Sequence, residues 1–184
     1  RYLFSLEVFL EKGSLILNDT KYGCINFHPA ILPDYKGCGG YNLAILNDLE
    51  KWGSSCHYVD ENIDTGSIID TKIFNIDPLN ETAKSLEIKT LKSMELQFKR
   101  ILEKVVQSDG KLGSIPNSGG NYLSRSEMES LKKILPNDNP DKKARAFFFP
   151  PYSGAYIEIN GEKLTIIPKL ILEKINNLEI FFDD

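Results

Sequence analysis

An apolar, strand-like run that closes on Asn26-Phe27-His28 and is cut off by Pro29 and Pro33 constrains this chain more than any other stretch. In a strand, residues two apart face the same side. Asn26 and His28 therefore share one face and Phe27 takes the other. Proline has no backbone N–H and biases its predecessor away from helix, so the strand must give way to an irregular loop through Leu32-Pro33-Asp34-Tyr35-Lys36-Gly37. An amide and an imidazole are thus presented together at a strand end. Downstream, Asp60-Glu61-Asn62-Ile63-Asp64-Thr65-Gly66 sets a carboxylate on a glycine-bearing loop between two β-rich runs. Such a trio suits acyl-group chemistry, which needs donors for a developing oxyanion and an acceptor for a proton.

The rest of the pattern is that of an α/β protein. Residues 23–28 predict a buried strand and residues 39–51 a short helix, with Gly53 placed to end it. Ser54–Asp60 alternates like a strand, and Ser67–Ile76 is a second β-rich run. Over 81–107, Leu86, Met94, Phe98, Ile101, Leu102 and Val105 recur at three- and four-residue steps, which predicts a long helix packed over the sheet. The Gly-, Ser-, Asn- and Pro-rich stretch around 108–120 reads as a linker. Beyond it, Ser124 and Glu127 are spaced for a capping box, 140–147 reads as a short helix, and Asn160-Gly161 is placed to turn a β-hairpin.

Bulk properties exclude several classes. The net charge of −4 argues against a broad nucleic-acid surface. Cys24, Cys38 and Cys56 are odd in number and lack CxxC spacing, which favours a reducing compartment; a cytoplasmic location is expected. Two histidines and no Cys/His cluster leave no expected metal site. No apolar run is long enough for a membrane span, and the first residues do not form a signal peptide.

The stretch Asn26-x-His28-Pro29-x-x-Leu32-Pro33-x-Tyr35-x-Gly37, followed by Asp64-x-Gly66, resembles the signature of the folate-dependent formyltransferases. Two motifs in the right order make the likeness specific. It covers residues 20–105, with a weaker echo at Arg145, Phe148, Pro150 and Tyr156. The variant Lys36-Gly37-Cys38-Gly39-Gly40-Tyr41-Asn42 is most similar to the branch that modifies nucleotide-linked amino sugars. Where the family often has arginine, this chain has Lys36, which keeps the charge but loses the bidentate fork.

The resemblance implies a fold, a site and a reaction. The fold is part of a doubly wound, mostly parallel, Rossmann-like sheet lacking its first βαβ units, since the family pattern normally begins several dozen residues earlier. An uncovered apolar surface is then expected along Tyr2–Leu10 or the strand at 23–28. Residues 1–110 would form the later part of the catalytic domain, 111–120 the linker and 121–184 a small α+β extension. Asn26, His28 and Asp64 would be catalytic. His57, Val59, Asp60, Glu61 and Asn62 would hold the co-substrate, N10-formyltetrahydrofolate, although His57 reads equally well as a hydrogen-bonded strand histidine. Tyr35, Lys36, Tyr41 and Asn42 would line the acceptor groove. The reaction would move a formyl group to the amine of a nucleotide-linked 4-amino-4,6-dideoxy sugar, as in lipopolysaccharide biosynthesis. The alternatives are a methionyl-tRNA formyltransferase, another folate-dependent formyltransferase, or an incomplete, non-catalytic remnant. No membrane or nucleic-acid partner is expected, and a homodimer stays open.

Overall fold

The protein is described by a computed structural model that covers residues 3–6 and 21–177, with side chains described over 21–175. Strands β1 (Leu3–Leu6), β2 (Cys24–His28), β4 (Lys51–Tyr58) and β5 (Ile68–Asn75) form one sheet in the order β1-β2-β4-β5. Strand β3 (Tyr35–Gly37) pairs in parallel with β6 (Asn121–Leu123), and β7 (Tyr156–Ile159) pairs with β8 (Glu162–Thr165) as a hairpin. The helices are α1 (Gly40–Leu46), α2 (Ala83–Gln107), α3 (Arg125–Ser130), α4 (Pro140–Phe147) and α5 (Lys169–Asn177). No helix among the described residues is long and apolar enough to cross a membrane.

The α/β class stands, but the expected mostly parallel sheet does not describe these strands. Only β1–β2 runs parallel in the main sheet; β2–β4 and β4–β5 are antiparallel. The reason is connection length. Parallel neighbours need a crossover of roughly a dozen residues or more. The loop at 59–67 is too short for one, so β5 folds straight back along β4.

Alternation in β2 does what the sequence demands. Ile25 and Phe27 are fully buried, and α2 covers them with Met94, Phe98 and Ile101. Phe27 meets Phe98 edge-on at 5.6 Å between ring centroids, a favourable aromatic geometry. The face of β2 expected to be uncovered is therefore packed by the chain's own helix, whereas the side chains of Tyr2–Leu10 lie outside the described residues. Among the helix residues chosen from the periodicity, Leu86, Met94 and Ile101 are buried, while Leu102 stays 41% exposed. Thr82 and Ser85 close a capping box at the start of α2.

Gly53 does not end a helix. The first helix stops at Leu46, and Asp48 at φ 52° takes the left-handed position. Gly53 lies inside β4, where a Cβ would sit 2.2 Å from the Lys72 carbonyl oxygen, so the neighbouring strand demands a glycine. At the other end of the chain the local signals hold. Ser124 and Glu127 form their capping box, Asn139 caps α4 with Pro140 next to it, and Asn160-Gly161 turns the hairpin with both residues at positive φ.

The later segment of the chain is packed against the helices that flank the main sheet. Ile45, Ala83, Ala146, Phe147 and Ala155 share one core cluster. Asn42 Nδ2 donates to the Ala146 carbonyl at 2.7 Å. The Arg145 guanidinium, 4% exposed, pairs with Asp141 and donates to the carbonyls of Pro78 and Glu81. A buried guanidinium persists only where its donors are matched in this way.

Candidate active site

The antiparallel register of β2 and β4 sets Asn26 opposite His57 and His28 opposite Ser55. The cross-strand pair brings Asn26 Nδ2 to 3.1 Å from His57 Nε2. His57 Nδ1 lies 2.7 Å from the Tyr58 carbonyl. A carbonyl only accepts, so Nδ1 carries a proton, and Nε2 faces both the Asn26 amide and the Asp64 carboxylate. That orients the Asn26 amide and leaves its Oδ1 buried with no hydrogen-bond partner among the described residues.

His28 is fixed by the same logic. Its Nε2 donates to the Tyr35 carbonyl at 2.7 Å, and its Nδ1 lies 3.5 Å from Asp64 Oδ2. Burial pushes the His28 pKa down; Asp64 and the bond to Tyr35 oppose it, and the net is a lowered value. Across from Asp64 Oδ2, Oδ1 is 3.7 Å from His57 Nε2. The carboxylate thus lies between two imidazoles, with its side chain 10% exposed.

Asp64 adopts φ 56°, a left-handed backbone unusual for a residue other than glycine and tolerated best by Asn and Asp. Its Oδ2 accepts the Gly37 N–H at 2.9 Å, which ties the loop after β4 to the loop after β2. Burial raises the Asp64 pKa, but the His57 imidazole, the charge of His28 and the Gly37 N–H outweigh it and hold the carboxyl below its usual value. Gly66 makes the turn possible: a Cβ there would lie 1.8 Å from the Tyr58 carbonyl oxygen.

The other expected site residues divide. His57, placed by expectation beside the co-substrate, is 2% exposed and belongs to the polar cluster of the trio. The Val59 N–H is committed to the Cys24 carbonyl at 2.9 Å. Asp60, Glu61, Asn62 and Ile63 form an exposed loop, turned by Asp60 Oδ1 accepting the Asn62 N–H at 3.1 Å. Tyr35 and Tyr41 turn their rings to Trp52, at 5.2 and 6.2 Å between centroids. Asn42 is engaged with α4, as above. Lys36 Nζ donates to the Gly119 carbonyl at 2.7 Å.

Two polar residues at the site escaped the sequence reading. Ser55 Oγ donates to the Ala30 carbonyl and accepts the Leu32 N–H, both at 2.9 Å, and so pins the loop after His28. Its two-residue spacing from His57 on one strand was the available signal. Asn117 Nδ2 donates at 2.9 Å to the carbonyls of both Asp64 and Gly66. No local pattern marks it, because it lies in a stretch whose composition reads only as connection. No cluster of metal-ligating side chains occurs among the described residues.

The formyl transferase family pattern matches residues 13–102. Its curated relatives include an enzyme of an amino sugar and enzymes of methionyl-tRNA. GDP-perosamine N-formyltransferase of Brucella melitensis biotype 1 is 30% identical over 154 residues, 82% of this chain and 58% of that protein. Methionyl-tRNA formyltransferase of Clostridioides difficile is 30% identical over 86% of this chain and 51% of its own length. The formyltransferase PseJ from Anoxybacillus kamchatkensis, solved with UDP-4,6-dideoxy-4-formamido-L-AltNAc and tetrahydrofolate, superposes with a TM-score of 0.61 at 25% identity. That superposition covers 70% of this chain and 67% of PseJ. The chain spans a little over half the length of the two curated relatives.

Proposed function

We propose that the protein transfers a formyl group from N10-formyltetrahydrofolate to the amine of a nucleotide-linked 4-amino-4,6-dideoxy sugar. One observation carries this reading: Asn26, His28 and Asp64, within the stretch that the formyl transferase family pattern matches, lie in one polar cluster where two loops meet the strand ends. The sugar relatives and the ligands of PseJ support the acceptor and the co-substrate.

The residues fit a folate co-substrate. Asn26 Oδ1, which has no partner among the described residues, can accept from a bound amine, and an exposed loop at 60–63 leads from β4 to Asp64. In this proposal Asp60, Glu61 and Asn62, with Val59 and His57 behind them, shape the pterin side. Tyr35, Lys36, Tyr41 and Asn42 shape the acceptor side, and Lys36 meets phosphate by giving up Gly119.

When bound, the co-substrate supplies the formyl carbon and a nitrogen leaving group. Asn26 Oδ1 accepts an N–H of the incoming amine, and the second N–H of its Nδ2 donates to the formyl oxygen as charge builds there. Asp64, ionised because its pKa is lowered, and His28, neutral because its pKa is lowered, form the proton station. The amine proton goes to His28 Nδ1 beside the Asp64 carboxylate. The resulting imidazolium faces the developing charge and then returns that proton to the leaving nitrogen. One C–N bond forms, one breaks, and no proton is consumed.

The division into a catalytic part over 1–110, a connection over 111–120 and an extension over 121–184 belongs to the same proposal. So does a small-molecule partner in place of nucleic acid, with a homodimer as the assembly to examine. The methionyl-tRNA relative favours a second reading, in which the acceptor is charged initiator tRNA. Transfer-RNA binding rests on many phosphate contacts and weakens steeply with salt. The two readings separate in a side-by-side assay with formyltetrahydrofolate in excess. Faster turnover on the aminosugar nucleotide is expected; faster turnover on methionyl-tRNA would replace the acceptor and leave the reaction type standing.

A further inference from the structure

Segment 115–121 bridges the two loops that carry the site. Ile115 exchanges backbone hydrogen bonds with Ile68 at 2.9 and 2.8 Å, just after the Asp64 loop. The Gly119 carbonyl accepts from Lys36, and Asn121 N donates to the Asp34 carbonyl at 3.3 Å before β6 pairs with β3. Gly120 passes so close to the loop after β2 that a Cβ would stand 1.7 Å from the Pro33 carbonyl oxygen. At the midpoint, the single Nδ2 of Asn117 spends both of its N–H donors, one on the Asp64 carbonyl and one on the Gly66 carbonyl.

We propose that Asn117 is a positioning residue for formyl transfer, which fixes the left-handed Asp64 turn so that its carboxylate faces His28; this rests on the reading of the trio given above. Asp64 sits in a backbone region that the chain enters at a cost and leaves when unsupported. Its carboxylate is held from one side by the Gly37 N–H, and its own carbonyl is held from the other by Asn117. The two restraints act on opposite ends of one residue, so losing the second lets the turn relax and the carboxylate withdraw from His28. Asn117 touches neither imidazole nor any reacting atom in this arrangement; it acts through Asp64.

The test compares Asn117→Ala, Asn117→Asp and Asn117→Gln with the wild-type enzyme, by steady-state formyl transfer and by NMR titration of the two histidines. Alanine lacks the donors, and aspartate turns a carboxylate towards two carbonyl oxygens. Both should lower kcat by about 10–100-fold, the scale of a displacement near 1 Å, with KM changed by less than about threefold. Gln keeps both donors on a longer arm and should recover part of the loss. The groups facing His28 are Asp64, His57 and the Tyr35 carbonyl, and of these Asp64 supplies the charge that raises the His28 pKa. Retreat of Asp64 should therefore lower the His28 titration midpoint in the Ala variant. An unchanged His28 midpoint, together with kcat within about twofold of wild type, would overturn the proposal. So would equal losses in Ala and Gln at an unchanged midpoint. An inactive wild type would count against formyl transfer itself, and the titration, which needs no substrate, would still decide the role of Asn117.

Discussion

The two halves of the candidate site are held by different means. Asn26, His28 and His57 stand on β2 and β4, where an antiparallel ladder fixes which side chains meet. Asp64 stands on a loop with a left-handed backbone and is held by single contacts from Gly37 and Asn117, the latter from a segment far along the chain. A ladder spreads its restraint over many backbone hydrogen bonds, so removing one side chain leaves the others in place. A loop has no such redundancy. Functional groups on strands should therefore fail one at a time, whereas Asp64 should be sensitive to residues that never touch substrate.

The sharpest break of this comparison is on the ladder side. His28→Ala removes both the proton station and the Tyr35 tether, and should lower kcat by about 10²–10⁴ while the thermal melt stays cooperative. If turnover survives, the proton passes elsewhere. Asn26→Ala should cost about 10²–10³ in kcat through the lost oxyanion donor. Because the ladder is intact, the His28 titration should stay within error of wild type in that variant, and a displaced midpoint would show that the strands do not isolate their side chains.

A smaller effect concerns Ser55, which is fully buried and bonds both Ala30 and Leu32. Ser55→Ala leaves a backbone N–H and a carbonyl buried without their side-chain partner, at a cost of about 1–3 kcal/mol in a urea unfolding experiment. A change below about 0.3 kcal/mol would mean that the loop after His28 holds itself. The smallest expected effect is on pH. His28 and Asp64 both have lowered pKa values in the fold, so the unfolded chain takes up protons first. Stability is then complete above about pH 6.5, falls as His28 protonates below that point, and falls again as Asp64 protonates below about pH 3.9. Unfolding at pH 7.5, 5.5 and 3.5 measures both steps, and Asp64→Asn should remove the lower one.

Local signals made much of this legible. Alternation and two prolines located Asn26 and His28, helical spacing located α2, and turn chemistry located the hairpin at Asn160-Gly161. What escaped depended on pairing at a distance. The sheet is mixed because a short loop returns β5 along β4, and a motif match carries no strand direction. Gly53 looks like a helix stop in one dimension, yet serves the close approach of Lys72 in three. His57 reads equally as a co-substrate contact or a hydrogen-bonded strand histidine until β4 is set in register against β2. Asn117 could not have been found at all from its neighbours, since Gly-Ser-Ile-Pro-Asn-Ser-Gly-Gly has no periodicity and its partners lie on another loop.

In the proposed reaction the Asp64 carboxylate, held opposite His28, enables formyl transfer. Single-turnover kinetics of wild type and Asp64→Asn, with N10-formyltetrahydrofolate and a nucleotide-linked 4-amino-4,6-dideoxy sugar, tests it most directly. The substitution keeps the shape and the bond from Gly37 but cannot carry the charge. The chemical step should slow by about 10² or more, with the thermal melt unchanged at neutral pH to within a few degrees. A chemical step within about threefold of wild type would contradict it.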